Sequence, residues 1–149
     1  MILNSYTEGS KLLKCILTSQ YLAVLNSLSE GLPYSNRVSF ATTDDLKSLV
    51  FTTDRNTRKY RNIRENNNIS LLIDNRINQP SDLDRAVAIT VIGTSQEVST
   101  NNSNLKAIFL RKHPHLKQFV DQLNTALILV TVREYIIAGF DKTQRVIVD

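Results

Sequence analysis

The residues best suited to chemistry in this sequence lie in one basic window, residues 55–64, where five of the ten residues are Lys or Arg. Within this window, Thr57-Arg58-Lys59 follows a short polar turn. A helix that begins near Thr57 would present unpaired backbone N–H groups and a partial positive charge there. Such a terminus binds phosphate, and a hydroxyl with two full positive charges strengthens the contact. The pattern therefore indicates an anion site, although a solvated basic helix face accounts for the charges equally well.

Other kinds of chemistry find little support in the composition. The chain has four glycines and no Gly-rich phosphate loop, so nucleotide hydrolysis is not expected. His113 and His115 are its two histidines, and they flank a proline without carboxylates at metal-ligand spacing. We expect them to pack at a helix start, and we predict no metal site. The net charge of +4 is small for a nucleic-acid-binding protein and suits an anionic small-molecule ligand.

Length and apolar pattern limit the kind of protein further. A chain of 149 residues is sufficient for one domain, which we assign to residues 1–149. No apolar run in the sequence approaches the roughly 20 residues that cross a bilayer, and residues 1–10 lack a signal-peptide profile. Cys15 is the single cysteine, and its place on an amphipathic segment predicts a core residue in a reducing compartment. We therefore expect a cytoplasmic protein that does not bind membranes.

The elements that must position the basic window are mostly strands. Several apolar segments follow one another with a polar turn between them, which favours antiparallel pairing over a parallel sheet. We predict helices over residues 7–18 and 56–66 and two more between residues 103 and 123, the first of these capped by Ser103. The predicted strands cover residues 21–28, 34–42, 47–53, 69–74, 85–100, 125–137 and 144–148. This set of antiparallel strands with a few short helices predicts a mainly β fold, a small closed or split β-barrel.

Some details of this pattern bear on packing. Gly93 in the middle of the long strand is expected to mark a bulge or a close approach of two backbones. Tyr60 and Ile63 are spaced to face inward from the helix of the basic window, while its arginines face out. Asp82 and Asp84 are expected in a polar loop. The strand segments also carry more apolar faces than one small barrel core needs, which predicts a two-fold partner.

Residues 51–59 also carry a family resemblance. Phe51-Thr52-Thr53, three spacer residues and Thr57-Arg58-Lys59 are followed by Asn62, by Asn67 and Asn68, and by the apolar strand 69–74. This order is similar to the signature of the pyridoxamine 5'-phosphate oxidase-like proteins. Residues 31–34, 91–94, 113–119 and 130–132 are similar in order and spacing to small members of the group. The similarity covers most of the chain.

The resemblance implies a split β-barrel of the FMN-binding type that works as a homodimer, with the flavin at the subunit interface. In the family, the Ser/Thr-Arg-Lys triplet holds the phosphate, the strand before it lies by the ring or ribityl chain, and strand 36–40 follows the isoalloxazine. The family's phosphate arginine on that strand corresponds to Asn36 or Arg37, of which Arg37 has the right chemistry. The implied cofactor-binding residues are Asn36, Arg37, Val38, Ser39, Thr52, Thr53, Thr57, Arg58 and Lys59.

Two positions depart from the true oxidase. Ala41 and Ala88 stand where that enzyme uses a lysine and a glutamine, and its C-terminal arginine-and-histidine substrate segment is not visible after Val132. The resemblance therefore implies an FMN-dependent oxidoreductase with an unknown small-molecule substrate, and it argues less strongly for pyridoxamine phosphate oxidation. A non-catalytic module that binds flavin or haem is the alternative.

Overall fold

A computed structural model describes residues 8–149, and strands dominate it. The strands are β1 (Leu22–Ser29), β2 (Leu32–Thr42), β3 (Ser48–Asp54), β4 (Asn68–Asp74), β5 (Ala88–Val98), β6 (Thr125–Ala138) and β7 (Thr143–Ile147). The helices are α1 (Glu8–Ser19), α2 (Arg58–Glu65), α3 (Asp82–Arg85), α4 (Ser103–Lys112) and α5 (Lys117–Val120), with a 3-10 turn at Pro114–Leu116. Residue 7, the predicted start of α1, lies outside the described residues. None of the helices within residues 8–149 is long and apolar enough to cross a membrane.

The strands form one antiparallel sheet that closes on itself. Its order is β3-β2-β1-β4-β5-β6, and β6 pairs back onto β3, which completes a barrel. Strand β6 can serve several neighbours because it has 14 residues: its first half pairs with β3, and its second half pairs with β7. The predicted mainly β fold, a split barrel with short helices, is therefore confirmed.

The barrel interior is the main hydrophobic core. Side chains of a strand alternate between the two faces of a sheet, and along β1 this places Ala23 and Leu25 inside. Tyr60 and Ile63 of α2 join the same core, as their spacing predicts. A second, smaller apolar cluster outside the barrel packs α4 and α5 against β2, β3 and β6; its members are Ala41, Val50, Leu105, Phe109, Val120 and Leu127.

Three local predictions are wrong. Cys15 is exposed because the buried side of α1 is set by Leu13, Ile16 and Leu17, and Cys15 lies off that side. Helix α4 is capped by the side chain of Asn102, not Ser103, and Asn102 accepts a hydrogen bond from the backbone of the helix. Neighbouring Asn and Ser are both good caps, so composition alone does not choose between them.

The third concerns the predicted polar loop before β5. Residues 82–85 form one turn of helix, because the Asp82 carboxylate accepts hydrogen bonds from Ile77 N at 3.0 Å and Gln79 N at 3.1 Å. The segment folds back on itself, and β5 consequently begins at Ala88 instead of residue 85.

Gly93 marks a close approach between β5 and β6, as the sequence predicts. The register between these strands shifts there, with Ile92 opposite Glu134 and Gly93 opposite Val132. A Cβ added at Gly93 would lie 2.3 Å from the carbonyl oxygen of Thr131, which is backbone and cannot move aside cheaply. The position therefore requires glycine for its lack of a side chain.

We predict that Gly93→Ala lowers the free energy of unfolding by about 1–3 kcal/mol, because overpacking against fixed backbone forces local displacement. Urea unfolding followed by circular dichroism measures the change. Gly139→Ala is the matched control, since the nearest atom to a Cβ there is 4.0 Å away, and it should unfold like the wild type. Equal midpoints for the two variants would contradict the close approach.

Candidate functional site

A groove opens where strands β2 and β3 separate. The ladder between them runs from Thr42 with Leu49 to Phe40 with Phe51. Past that pair, β2 stays paired with β1 and β3 stays paired with β6, so each strand is held from its other side. The gap between them forms a groove of about 340 Å³. Its two walls are therefore fixed by the barrel itself.

Backbone polar groups of β2 point into this gap. The N–H of Phe40 donates to the carbonyl of Tyr21, on the β1 side, at 3.4 Å. Because backbone groups of successive residues point to opposite edges of a strand, those of Arg37 and Ser39 are directed towards β3. They face the groove where the ladder has ended, and they can meet a ligand there.

Most of the residues that the sequence assigns to a cofactor come together at this groove. Seven of the nine line it: Arg37, Val38, Ser39, Thr52, Thr53, Thr57 and Lys59. Leu116 and Phe119 add an apolar wall, and Asp54 lies at the turn between β3 and α2. Their common location is a property of the fold, whereas their part in binding a cofactor stays a prediction.

The other two assigned residues lie elsewhere. Asn36 falls on the inward side of β2 with the core residue Phe40, and its Oδ1 is buried without a hydrogen-bond partner among the described residues. Of the two candidates for the phosphate arginine, Arg37 is the one that reaches the groove. Arg58 lies over the ring of Tyr34, 4.4 Å from its centroid, and is not part of the groove lining.

Thr57 begins helix α2, as the sequence predicts, and its hydroxyl joins a small network. Its backbone is extended (φ −101°, ψ 155°), and its Oγ1 accepts a hydrogen bond from Tyr60 N at 3.4 Å. The same hydroxyl donates to the carbonyl of Asp54 at 2.7 Å and lies 3.1 Å from Thr53 Oγ1. A cap of this kind leaves the N–H groups of the first two helical residues without an intrahelical acceptor. The helix therefore presents donors at the groove.

Lys59 brings a positive charge to the groove, which Arg37 also lines. Its side chain is half-buried, and it makes no hydrogen bond or ion pair with any of residues 8–149. Burial lowers the pKa of its ammonium, and the charge of Asp54 partly offsets that shift. Burying a charge without a partner is unfavourable. An anion bound in the groove would remove this penalty, so the arrangement suits a ligand such as phosphate.

Two other basic residues of the window serve the protein's own structure. Arg55 donates to the Glu97 carboxylate through Nε at 3.0 Å and Nη2 at 2.6 Å, and Arg64 lies 4.0 Å from the same group. The five basic residues therefore do not form one anion site, which corrects the sequence-based interpretation. Glu97 pairs with the flanking residues Arg55 and Arg64, and Lys59 is the basic residue of the window that lines the groove.

Some contributors to the site carry no signal in the sequence. Asn124 Nδ2 donates to Asp54 Oδ1 at 2.7 Å, and the same oxygen accepts from Asn56 N at 2.7 Å, which fixes the turn before Thr57. Asn124 lies 70 residues from Asp54, and Glu97 lies 42 residues from Arg55. Pairs so distant in sequence become visible once the barrel has brought β3, β5 and β6 together.

Comparison with known proteins agrees with the resemblance seen in the sequence. The model of the pyridoxamine 5'-phosphate oxidase family matches residues 10–136 of this chain. The chain therefore belongs to that family. A search of curated protein sequences finds no match.

Several solved structures share the fold. General Stress Protein 26 from Bacillus anthracis str. Sterne matches 93% of this chain and 99% of its own length, with a TM-score of 0.72 and 22% identity. A heme binding protein from Mycobacterium smegmatis matches 89% of this chain with a TM-score of 0.79 and 16% identity, and this chain spans 55% of that protein. A FAD-binding protein from Mesorhizobium loti matches 83% of this chain and 89% of its own, with a TM-score of 0.64 and 16% identity. At these identities the likeness establishes the fold alone.

We predict that Thr57→Ala lowers the free energy of unfolding by about 1 kcal/mol, because it removes the cap of α2 and its bond to the preceding turn. Thr57→Ser keeps the hydroxyl and should unfold close to the wild type. Guanidinium unfolding of the three proteins measures the difference. If the alanine variant is as stable as the serine variant, the hydroxyl does not hold the helix start.

Proposed function

We propose that this protein is an FMN-binding flavoprotein that holds the 5'-phosphate of the cofactor in the groove between β2 and β3. The observation that carries the proposal is Lys59, a half-buried ammonium at the start of α2 with no ion pair among residues 8–149. Thr53 and Thr57 line the same groove, as does Arg37 from the opposite strand, and the start of α2 adds unpaired backbone N–H donors. A phosphate dianion matches these charges and donors, because charge-assisted hydrogen bonds are stronger than neutral ones.

The rest of the groove suits the rest of FMN. Leu116 and Phe119 provide an apolar wall for a planar ring, and the β2 backbone at Arg37 and Ser39 offers donors and acceptors beside it. Apolar walls with a few placed polar groups are usual for cofactor sites. When bound, FMN supplies the electron and hydride chemistry, while the residues of the groove bind and orient it.

We infer that the protein works as an FMN-dependent oxidoreductase on a small-molecule substrate other than pyridoxamine phosphate. Ala41, in place of the family enzyme's lysine, is buried in the apolar cluster beneath α4 and α5. Its methyl group offers neither charge nor proton to a substrate. Ala88, in place of the glutamine, stands at the first position of β5 and offers no hydrogen bond from its side chain.

Haem binding is the second candidate, because the Mycobacterium smegmatis neighbour is named a heme binding protein. Haem iron is commonly held by a histidine. His113 is buried, and its Nε2 lies 2.7 Å from the carbonyl of Phe40, so its ring takes part in the fold. His115 is exposed and does not line the groove. The charge and donors around Lys59 therefore favour a phosphorylated flavin.

We predict that Lys59→Ala weakens FMN binding about tenfold or more, the loss expected for one charge-assisted contact. Flavin fluorescence titration measures FMN beside riboflavin, which lacks the phosphate and should bind weakly to both proteins. Arg61→Ala is the matched control, since Arg61 is exposed on the same helix and does not line the groove. Its FMN affinity should stay near that of the wild type.

Two results would contradict this proposal. One is a wild-type protein that binds FMN and riboflavin equally well, because the phosphate would then contribute nothing. The other is a purified protein that takes up haem and not FMN, as its visible absorption spectrum would reveal.

We further propose that the protein is a homodimer whose partner covers the outer face of β1, β4, β5 and β6. A row of half-buried side chains crosses these four strands outside the barrel, formed by Val24, Leu72, Thr90 and Ile136. Extended apolar surface commonly marks a contact with a partner, most often two-fold. Arg37 lines both the groove and a hollow of about 350 Å³ that reaches Val24 and Leu72. A partner seated on this face would therefore also close the open side of the groove.

Sedimentation equilibrium tests the dimer. The molecular mass measured for the wild-type protein with FMN should be about twice the chain mass of 16.9 kDa. Leu72→Glu places a charge on the proposed face, so it should yield monomers and release FMN. Leu123→Glu is the control, because Leu123 is 99% exposed and lies in the connection between α5 and β6, outside the four strands of that row, and it should remain dimeric. A wild-type monomer that retains FMN would contradict both the dimer and a shared site.

A further inference from the structure

The Glu97 carboxylate, near the end of β5, accepts hydrogen bonds from Arg55 and Tyr60, which lie on either side of Thr57 in the sequence. Its Oε1 accepts two hydrogen bonds from Arg55, at 3.0 Å and 2.6 Å, and its Oε2 accepts one from the Tyr60 hydroxyl at 2.6 Å. Arg64 adds a donor to the Tyr60 oxygen at 3.1 Å. Burial alone would raise the pKa of Glu97, but the hydrogen bonds from Tyr60 and Arg55 hold it below its ordinary value. The group is therefore a carboxylate at neutral pH.

Arg55 extends this connection to the start of β6. Its Nη1 donates to the carbonyls of Leu123 at 2.9 Å and Thr125 at 3.3 Å, and its backbone N–H donates to the carbonyl of Asn124 at 3.0 Å. Arg55 precedes Thr57 by two residues, and Tyr60 directly follows Lys59. The segment that carries the proposed phosphate donors is thus tied down on each side, and both ties meet at Glu97.

We propose that Glu97 is a positioning residue for FMN, which fixes Thr57 and Lys59 at the groove without contacting the cofactor itself. This inference rests on the proposed function and adds a residue that the groove lining does not include. When a few charge-assisted contacts hold a ligand, its affinity is sensitive to small displacements of the groups that make those contacts. A looser Arg55 and Tyr60 would let the helix start move, and the phosphate would lose aligned donors.

Electrostatics alone predicts the opposite effect, which makes the inference testable. Glu97 is a negative charge close to α2, so its removal leaves Arg55 and Arg64 free to attract an anion. If charge were all that mattered, Glu97→Gln would bind FMN more tightly. If position matters, the same variant binds FMN more weakly although its net charge is more favourable.

The experiment compares FMN and riboflavin affinities of Glu97→Gln and the wild-type protein by fluorescence titration. We expect the FMN affinity to fall about five- to tenfold and the riboflavin affinity to change less than about twofold, since the phosphate contacts alone are disturbed. Asp45→Asn is the matched control, because the Asp45 carboxylate accepts hydrogen bonds from the Thr43 hydroxyl at 2.6 Å and from Lys47 N at 3.0 Å and does not line the groove. Its two affinities should match those of the wild type. FMN binding by Glu97→Gln that is unchanged or tighter would overturn the inference.

Tyr60→Phe provides a second variant that removes one hydroxyl and leaves the charges intact. It should weaken FMN in the same phosphate-dependent way, and the double variant should show less than the product of the two single effects, because both act through one carboxylate. Multiplicative effects would mean that the two residues act separately and would overturn the shared role. A wild-type protein with no preference for FMN over riboflavin refutes the proposed function, whereas a wild-type preference for FMN that Glu97→Gln leaves undiminished refutes this inference alone.

Discussion

Strands β2 and β3 separate beyond the Phe40 and Phe51 pair, and this separation creates the groove. A closed barrel pairs every strand edge, which removes exposed backbone donors and acceptors. Here both strands remain paired on their far sides, so the ladder between them can end without loss of either strand. Backbone groups at such a gap need a partner from water or a ligand. The incomplete closure therefore creates a rigid groove with its polar groups already aimed inward.

Helix α2 connects this groove to the core. Tyr60 and Ile63 anchor it in the barrel, and Asn62 Nδ2 donates to Ser27 Oγ on β1 at 3.1 Å. These contacts hold the start of the helix at the mouth of the groove, where Thr57 caps it. Glu97 pairs with the arginines beside the turn, whereas the Lys59 ammonium has no ion pair among residues 8–149 and is available to a bound anion. Arg55 and Arg64 thus pair within the protein, and Lys59 is the basic residue of the window that lines the groove.

The sequence predicts what depends on local pattern. Alternation of apolar and polar residues predicts the strands, and capping chemistry predicts the start of α2 at Thr57. The glycine in mid-strand predicts the close approach at Gly93, and the spacing of the motif residues indicates the family. The prediction of one anion site over five basic residues is wrong because the partner of Arg55 is Glu97, 42 residues away. The guanidinium of Arg58 lies over the ring of Tyr34 on β2, and the spacing of residues around Arg58 does not indicate that contact. Contacts between residues distant in sequence determine which charged side chains have an ion-pair partner. These contacts form only when the barrel closes.

We propose that the groove between β2 and β3 holds the phosphate of FMN. A crystal structure of the protein grown with FMN tests this most directly, since it locates the phosphorus atom. We expect a phosphate within hydrogen-bond distance of Lys59 Nζ and of the first backbone N–H groups of α2, with the ring beside β2. A phosphate bound elsewhere on the chain, or a groove that stays free of flavin at saturating FMN, would contradict it.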